Sequence, residues 1–248
     1  MSGHNKWSTI KRKKGAIDAK RSKIFSKIIK EISIAIKEGG TDPDTNAKLR
    51  LAIANAKGAN MPKENVQRAI SKAEKEGNTL QEITFEGYAP GGIAVFIECL
   101  SDNNNRTVSL IRSIFNKRGG NLGTNGSLSF LFERKGIFTI PKSAVSNSEE
   151  FEMEMIDAGA QDIEYTDESI IITTAMEDFG GMLKKLESLK IEAENAELQR
   201  IPNDTKTVDS DTARKILHMI DEFEECDDVQ NVYHNMEITD EVAHTMEE

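Results

Sequence analysis

The sequence has little of what several protein classes require. Its 248 residues include only two cysteines, Cys99 in an apolar run and Cys226 after an acidic segment, so we expect free thiols rather than a disulfide framework. No window approaches the roughly 18 consecutive apolar residues of a membrane span, and the amino terminus lacks the apolar run of a secretory signal. We therefore expect a cytoplasmic protein with no membrane contact.

Patterns that carry catalysis or bind metals are also missing. The histidines have no HExxH spacing, and neither a CxxC pair nor a GxSxG nucleophile elbow occurs. Paired acids such as Glu224-Glu225 and Asp227-Asp228 lie in a generally acidic stretch, which is typical of a solvated surface. We predict that the protein is not an enzyme and has no catalytic residues, no metal site and no cofactor.

The charge, by contrast, is strongly segregated along the chain. The formal net charge is −10, yet residues 1–75 hold 18 lysines and arginines against 7 acids, and residues 76–248 hold 14 against 35. A basic segment confined to one end of an acidic protein is typical of nucleic-acid binding, because lysines and arginines that neutralise phosphates release counterions.

The basic segment begins as an arm around a single tryptophan and continues into a helix. An exposed indole can stack on a base, and it can equally pack against the protein, so both interpretations of Trp7 stay open. The predicted nucleic-acid contacts are Lys6, Trp7, Lys11, Arg12, Lys13, Lys14, Lys20, Arg21, Lys23, Lys27 and Lys30.

Three helices are predicted in the first 78 residues. Ser22 is a candidate cap for the first, whose isoleucines recur at helical spacing opposite a column of lysines, with Ile34 as the exception on the lysine side. Asp42-Pro43-Asp44 offers caps for the second, and Pro62 suits the first turn of the third. The third presents side chains able to bond base edges, as a recognition helix would, although any solvated polar helix face has a similar composition: Lys63, Asn65, Gln67, Arg68, Ser71 and Lys72.

Beyond residue 78 short strand-like runs replace the helices. A hairpin, a helix and a strand at 127–132 give ββαβ, and a helix at 210–225 with a strand at 229–235 completes this layer. Residues 134–204 have the order βαββαβ, the split-βαβ or ferredoxin-like arrangement, inserted into the first unit. We predict an α+β multidomain fold with domains 1–78, 79–133 plus 205–238, and 134–204, and a tail at 239–248.

A glycine-rich loop at 117–126 offers a second place for an anion. Glycines permit backbone angles that aim successive N–H groups at a phosphate. The same glycines would also serve a helix end followed by a tight turn into a strand, and both interpretations stay open. The predicted second phosphate contact comprises Arg106, Arg112, Lys117 and Arg118.

The inserted segment is the most acidic part of the chain. Residues 143–200 carry 15 acids and 4 bases, so this segment would repel phosphate. We expect it to hold a protein partner, to maintain solubility or to orient the basic domain.

Several motifs resemble one known family. The opening MSGHNKWSTIKRKKGAIDAKRSKIFSK, then EGYAPGGIAV, NRT at 105–107 and GGNLGTNGSLSF are similar to the signatures of the YebC/PmpR family, in the same order. Asn5, Arg12 and Ser22 depart from its common residues, but none of these departures removes positive charge. The resemblance implies a helical amino-terminal domain, two α+β domains and no cofactor.

The same resemblance implies a role in gene expression through nucleic acid. Members are described as DNA-binding transcriptional regulators, and others act in translation on the ribosome. The leading hypothesis is therefore a DNA-binding transcriptional regulator. The alternative is a translational activator that binds RNA or the ribosome, and a third class is a protein-interaction scaffold. The sequence leaves the oligomeric state open.

Overall fold

The fold is α+β, as the sequence predicts. A computed structural model describes residues 17–76, 79–239 and 242. The helices are α1 Ile17–Gly39, α2 Ala47–Gly58, α3 Lys63–Glu76, α4 Asn104–Lys117, α5 Ser148–Asp157, α6 Phe179–Ser188 and α7 Ser210–Glu225. The strands are β1 Gln81–Ala89, β2 Ile93–Ser101, β3 Asn121–Leu122, β4 Phe132–Pro141, β5 Ala160–Tyr165, β6 Ser169–Ala175, β7 Asn195–Pro202 and β8 Val229–His234.

The described residues form two compact units. The first takes in 17–30, 79–133 and 201–239, and the second takes in 31–76 and 134–200. Each unit contains one four-stranded sheet, in the order β3-β1-β2-β8 in the first and β5-β6-β4-β7 in the second. The finer division into three domains and a tail stays a prediction.

The first unit buries both faces of its central strand. β2 is an almost uninterrupted apolar run, IAVFIECLS, and nearly all of it is inaccessible to solvent. Its odd-numbered residues, such as Val95 and Ile97, pack in a core with α4 and α7. Its even-numbered Ala94 and Phe96 pack on the opposite face, where Phe96 meets Phe132 edge to face at 6.0 Å between ring centroids. Period-two alternation therefore serves two separate apolar layers.

The second unit contains the predicted ferredoxin-like arrangement. Its β4-α5-β5-β6-α6-β7 sequence gives the strand order of a split βαβ fold, and the β5–β6 and β4–β6 pairs are antiparallel. Phe151 and Met155 of α5 and Met182 of α6 pack onto Phe138 and other apolar residues of the sheet. This confirms the βαββαβ order predicted for the inserted segment.

Two predicted helix starts are wrong, and both errors have a local cause. α1 already includes Ile17, so Ser22 is interior, and its carbonyl accepts a bond from Ser26 Oγ at 3.1 Å. The cap of α2 is Asn46, whose Oδ1 accepts from Leu49 N at 3.0 Å. The Asn46 amide also donates to Ala35 O at 2.6 Å, which ties the end of α1 to the start of α2. Asp42 instead accepts from the Asp44 backbone in a preceding turn.

The predicted strand at 127–132 is also wrong. Residues 129–131 form a 3₁₀ turn, and the strand on this side of β1 is only the two residues of β3. The backbone amides of Gly126 and Leu128 donate to the carboxylate of Glu86 rather than to a neighbouring strand. The buried Glu86 side chain therefore accepts backbone hydrogen bonds that the apolar pattern assigned to a neighbouring strand.

α2 is attached to β7 through its last turn. The Asn55 side chain both donates to Ala196 O and accepts from Ala196 N, each at 3.0 Å, as a neighbouring strand would. One turn later Gly58 lies so close to Glu194 that a Cβ on the glycine would be 1.9 Å from the carbonyl oxygen. Only a residue without a side chain fits at this position.

We predict that Gly58→Ala lowers the free energy of unfolding by about 1–3 kcal/mol, the usual range for forced overpacking. The matched control is Gly180→Ala in α6, where no atom lies within 4 Å of the added Cβ. That variant should be neutral or stabilising by up to about 1 kcal/mol, because alanine favours the helix. Urea unfolding measures both, and equal effects of the two substitutions would contradict the close approach.

Candidate nucleic-acid interface

The predicted interface begins in a part of the chain that the structure does not describe. Lys6, Trp7, Lys11, Arg12, Lys13 and Lys14 lie outside the described residues. The backbone of Lys20 is helical, in the first turn of α1. Arg21 is exposed, and its guanidinium lies 5.6 Å from the centroid of the Phe25 ring. The nucleic-acid contacts assigned to all of these residues stay a prediction.

Three lysines of α1 contact other segments of the first unit, to which they belong. Lys27 Nζ donates to Gln230 O at 2.6 Å, and Lys23 Nζ lies 2.6 Å from a carboxylate oxygen of Glu225. Lys30 Nζ donates to Leu100 O at 3.1 Å and to Asp227 O at 2.7 Å. The ammonium groups of Lys27 and Lys30, which the sequence assigns to phosphate, therefore already have protein acceptors, and that of Lys23 already has an ion-pair partner.

Lys30 is also part of a polar cluster around Asp228. Asp228 Oδ1 accepts from Lys30 at 3.1 Å, and its Oδ2 accepts from Arg106 at 2.8 Å, Thr107 at 3.0 Å and Ser101 at 3.1 Å. The Asp228 side chain is 11% exposed. Burial alone would raise the pKa of Asp228, but hydrogen bonds from Arg106, Lys30 and Thr107 outweigh it and lower the pKa to about 2.

Three of the four basic residues of the predicted second phosphate contact form ion pairs with acids of the protein. Lys117 and Arg118 both bind the carboxylate of Glu222, and these bonds lower the pKa of Glu222 to about 2. Arg106 also pairs with Asp102 at 2.9 Å. Arg112 is exposed and has no ion pair within the described part of the chain. Of the four, Arg112 alone presents an uncommitted cation there.

The glycine-rich loop is organised around an anion of the protein itself. Its first glycines close α4, where Gly120 N donates to Phe115 O at 2.8 Å. Further on, Gly123 N donates to the backbone oxygen of Glu86, and the amides of Gly126 and Leu128 donate to the Glu86 carboxylate. The loop thus both ends a helix and binds an anion. In this structure that anion is a glutamate that is 2% exposed.

α3 offers a second exposed cationic face. Lys63, Arg68 and Lys75 are exposed and form no ion pair with any acid that the structure describes. Val66, Ala69 and Ala73 of the same helix are buried. The polar face predicted for this helix therefore points to solvent, apart from Asn65, which is half-buried.

Comparison with known proteins covers nearly the whole chain. A family model described as the TACO1/YebC protein N-terminal domain matches residues 5–76, and one described as the TACO1/YebC second and third domain matches residues 80–236. The chain belongs to the TACO1/YebC family.

Individual relatives of this TACO1/YebC chain agree with the family models. A probable transcriptional regulatory protein of Rubrobacter xylanophilus is 49% identical over 245 residues, covering 98% of each chain. A protein of the same description from Geobacter sp. is 50% identical over 248 residues, covering 99% of this chain and all of the relative. A crystal structure of a conserved hypothetical protein from Aquifex aeolicus is 44% identical, has a TM-score of 0.81, and covers 90% of this chain and 93% of that one.

The motifs that carry the resemblance described in the sequence analysis have partners within the protein. Arg106 and Thr107 of NRT bind Asp228, and Glu86 of EGYAPGG binds the loop GGNLGTNGSLSF. The predicted site lacks Asp228 and Glu86, because each lies far along the chain from its partners. The interpretation of Asp228 as part of a solvated surface is wrong, since the residue is only 8% exposed. For Glu86 a signal existed, because a charged residue in an apolar strand run requires bonding partners.

The described residues contain neither a membrane-spanning helix nor a cluster of metal ligands. No helix there is long and apolar enough to cross a membrane. No group of three or more histidine, cysteine, aspartate or glutamate side chains in the same residues is arranged to hold a metal ion. Burial raises the pKa of the Cys99 thiol to about 12, so this cysteine stays protonated at neutral pH.

We predict a pH signature for the Asp228 cluster. The folded pKa of about 2 lies below the unfolded value of about 3.9, so the ionised carboxylate contributes stability that is fully present above about pH 4 and disappears as the pH falls through 2. Asp228→Asn should lower the free energy of unfolding at pH 7 by about 2 kcal/mol.

Urea unfolding at a series of pH values measures this effect. The difference between wild type and Asp228→Asn should shrink between pH 4 and pH 2, because the wild-type carboxylate becomes protonated. Asp221→Asn is the matched control, since Asp221 is exposed on α7 and has no ion pair among the described residues. A difference independent of pH over this range would contradict the assignment.

Proposed function

We propose that this protein is a nucleic-acid-binding regulator of gene expression, and that it acts as a DNA-binding transcriptional regulator. The observation that carries the proposal is the segregation of charge, with 18 basic residues against 7 acidic ones in the first 75 positions of a protein whose net charge is −10. The descriptions of its relatives as probable transcriptional regulatory proteins support the regulatory role.

The basic residues divide unequally in this proposal. Lys23, Lys27 and Lys30 are engaged with Glu225, Gln230 and Asp228, so α1 contributes less to phosphate binding than its composition indicates. The arm at 6–14 and the exposed cations of α3 bind the phosphates instead. Arg112 is the remaining candidate from the predicted second contact.

The composition of the basic segment favours RNA as the second candidate target. Residues 1–75 contain 14 lysines and only 4 arginines. Lysine acts as a point charge toward phosphate, whereas arginine is the commoner reader of guanine edges, so this segment suits backbone and shape recognition. A translational activator that binds structured RNA or the ribosome uses that kind of recognition.

A protein partner is a further part of the proposal, through the acidic segment. On α5, Met153 and Ile156 are 63% and 61% exposed, and exposed glutamates at 149 and 150 precede them on the same helix. Apolar side chains bordered by acids fit a partner with a basic amphipathic surface. If this interaction were the main function, charge reversal in 143–200 would impair activity more than substitutions in the arm.

We predict that replacing Lys11, Arg12, Lys13 and Lys14 with alanine weakens nucleic-acid binding and flattens its salt dependence, by up to about 0.9 log unit for each phosphate that is no longer neutralised. The matched control replaces Arg134, Lys142, Lys184 and Lys215, all exposed and without ion pairs among the described residues. Both variants change the net charge equally. Fluorescence anisotropy at several salt concentrations measures the slopes, and equal slopes for the two variants would remove the arm from the interface.

Crosslinking in cells, followed by sequencing of bound DNA and RNA together, decides between the two polymers. A DNA regulator should enrich particular promoters, and deletion of residues 1–20 should abolish that enrichment. Enrichment of ribosomal RNA that depends on the same residues would instead establish the translational alternative. Enrichment of neither polymer above an untagged control would overturn the proposed function.

A further inference from the structure

A groove with a cavity volume of about 300 Å³ opens in the first unit, beside the outer edge of β1. Its apolar surface comes from Ile83 and Phe85 of β1, Val108 of α4 and Leu122 of β3. This volume is at the lower end of the range for pockets that bind small molecules, so it suits one small ring system.

The outer edge of β1 is largely unpaired. Its pairing with β3 covers only Gly87 and Tyr88, while the other side of β1 pairs with β2 along its whole length. Because the Glu86 backbone oxygen accepts from Gly123 on the outer side, the alternation of an antiparallel ladder directs the backbone groups of Thr84 to that side as well. The groove therefore borders backbone groups that are able to bond a ligand.

Uncharged polar groups and one cation complete the lining. Thr84 Oγ1 donates to Asn125 Oδ1 at 3.2 Å, which leaves the amide hydrogens of Asn125 for another acceptor. Asn104 is exposed at the first turn of α4, and Arg112 is exposed two turns later. Glu86 is also among the lining residues, and its carboxylate accepts from Gly126 and Leu128.

This lining selects for the chemistry of a nucleotide. The negative charge of Glu86 disfavours a second anion close to it, and the apolar side chains and side-chain amides of the lining favour a flat, neutral, hydrogen-bonding ring. Arg112 at the lining supplies positive charge for one phosphate, and its planar guanidinium can also stack on a base. A nucleotide matches this lining, because its base is a neutral ring and its phosphate is an anion.

We propose that the groove binds one nucleotide of a single-stranded nucleic acid, with the base against Ile83, Val108 and Leu122 and the phosphate on Arg112. The inference rests on the proposed function, because the arm would hold the strand while the groove takes one unstacked base. It adds to that function a prediction about affinity: the protein binds a single strand that carries bases more tightly than the same strand without bases.

The test compares two fluorescent oligomers of equal length and phosphate number, an eight-residue oligouridylate and its abasic counterpart, with the full-length protein. The wild type should bind oligouridylate at least about fivefold more tightly, which corresponds to about 1 kcal/mol, the lower end of base-stacking energies. Val108→Phe, which fills the groove, should remove this preference and leave the affinity for the abasic oligomer unchanged.

Two further variants keep the test independent of folding. Asn104→Ala, at an exposed position, should reduce the preference without disturbing the packing of α4. Arg112→Ala should weaken binding of both oligomers more than Lys215→Ala, a control that removes one exposed cation from α7. Arg112→Lys should bind both oligomers nearly as tightly as the wild type, since it keeps the charge.

The failure of the groove and the failure of the proposed function are distinguishable. Equal affinity of the wild type for both oligomers, with a salt dependence that the arm variant still flattens, would overturn the groove alone and leave the open edge of β1 to an extended peptide. A preference for bases that persists in both Val108→Phe and Asn104→Ala would place the base elsewhere. Absence of binding to either oligomer, and to duplex DNA, would overturn both proposals.

Discussion

The first unit depends on the desolvated carboxylate of Asp228. This group lies at the start of β8, and its bonds reach Lys30 of α1, Ser101 at the end of β2, and Arg106 and Thr107 of α4. Residue 30 and residues 101–107, which are distant from residue 228 in sequence, thus converge on its two oxygen atoms. A buried charge is stable only when such bonds compensate for its missing hydration. Removal of any one donor would therefore leave the carboxylate incompletely compensated and destabilise the first unit.

The same arrangement recurs at Glu86 and Glu222. Glu86 binds the amides of the glycine-rich loop, and Glu222 binds Lys117 and Arg118 at the end of α4. In each case an internal carboxylate occupies the place that the sequence assigns to a phosphate. The basic and glycine-rich features are therefore real anion sites by their chemistry, and three of them are satisfied within the protein.

Local patterns in the sequence predict local structure well. The helix at 210–225 has the bounds that its apolar spacing indicates, because Asp209 caps it and Phe223 and Ile220 face a single core. The ferredoxin-like order of 134–204 follows equally from alternating strand and helix periods. The strand predicted at 127–132 is wrong because its bonding partner, Glu86, lies about 40 residues earlier, beyond the reach of any local pattern.

The candidate site shows the same limit more sharply. Composition identifies which residues are basic, but it does not identify which of them remain available. Lys30 and Lys63 look alike in the sequence, yet Lys30 bonds Leu100, Asp227 and Asp228, whereas Lys63 is exposed on α3. Availability is decided by acids that fold onto the cation from elsewhere in the chain.

The difference between paired and exposed lysines determines which part of the basic segment is able to attract nucleic acid. An ammonium group whose charge is already balanced by a carboxylate gains less from a phosphate than a solvated lysine does, so its net contribution to affinity is smaller. The acidic residues Glu225, Asp227 and Asp228 therefore do more than lower the net charge. Glu225 pairs with Lys23, and Asp227 and Asp228 accept from Lys30, while the Gln230 backbone oxygen accepts from Lys27. These contacts make this part of the lysine face of α1 a packing surface. In the proposed function, long-range attraction of nucleic acid then falls to the arm, to the exposed cations of α3 and to Arg112.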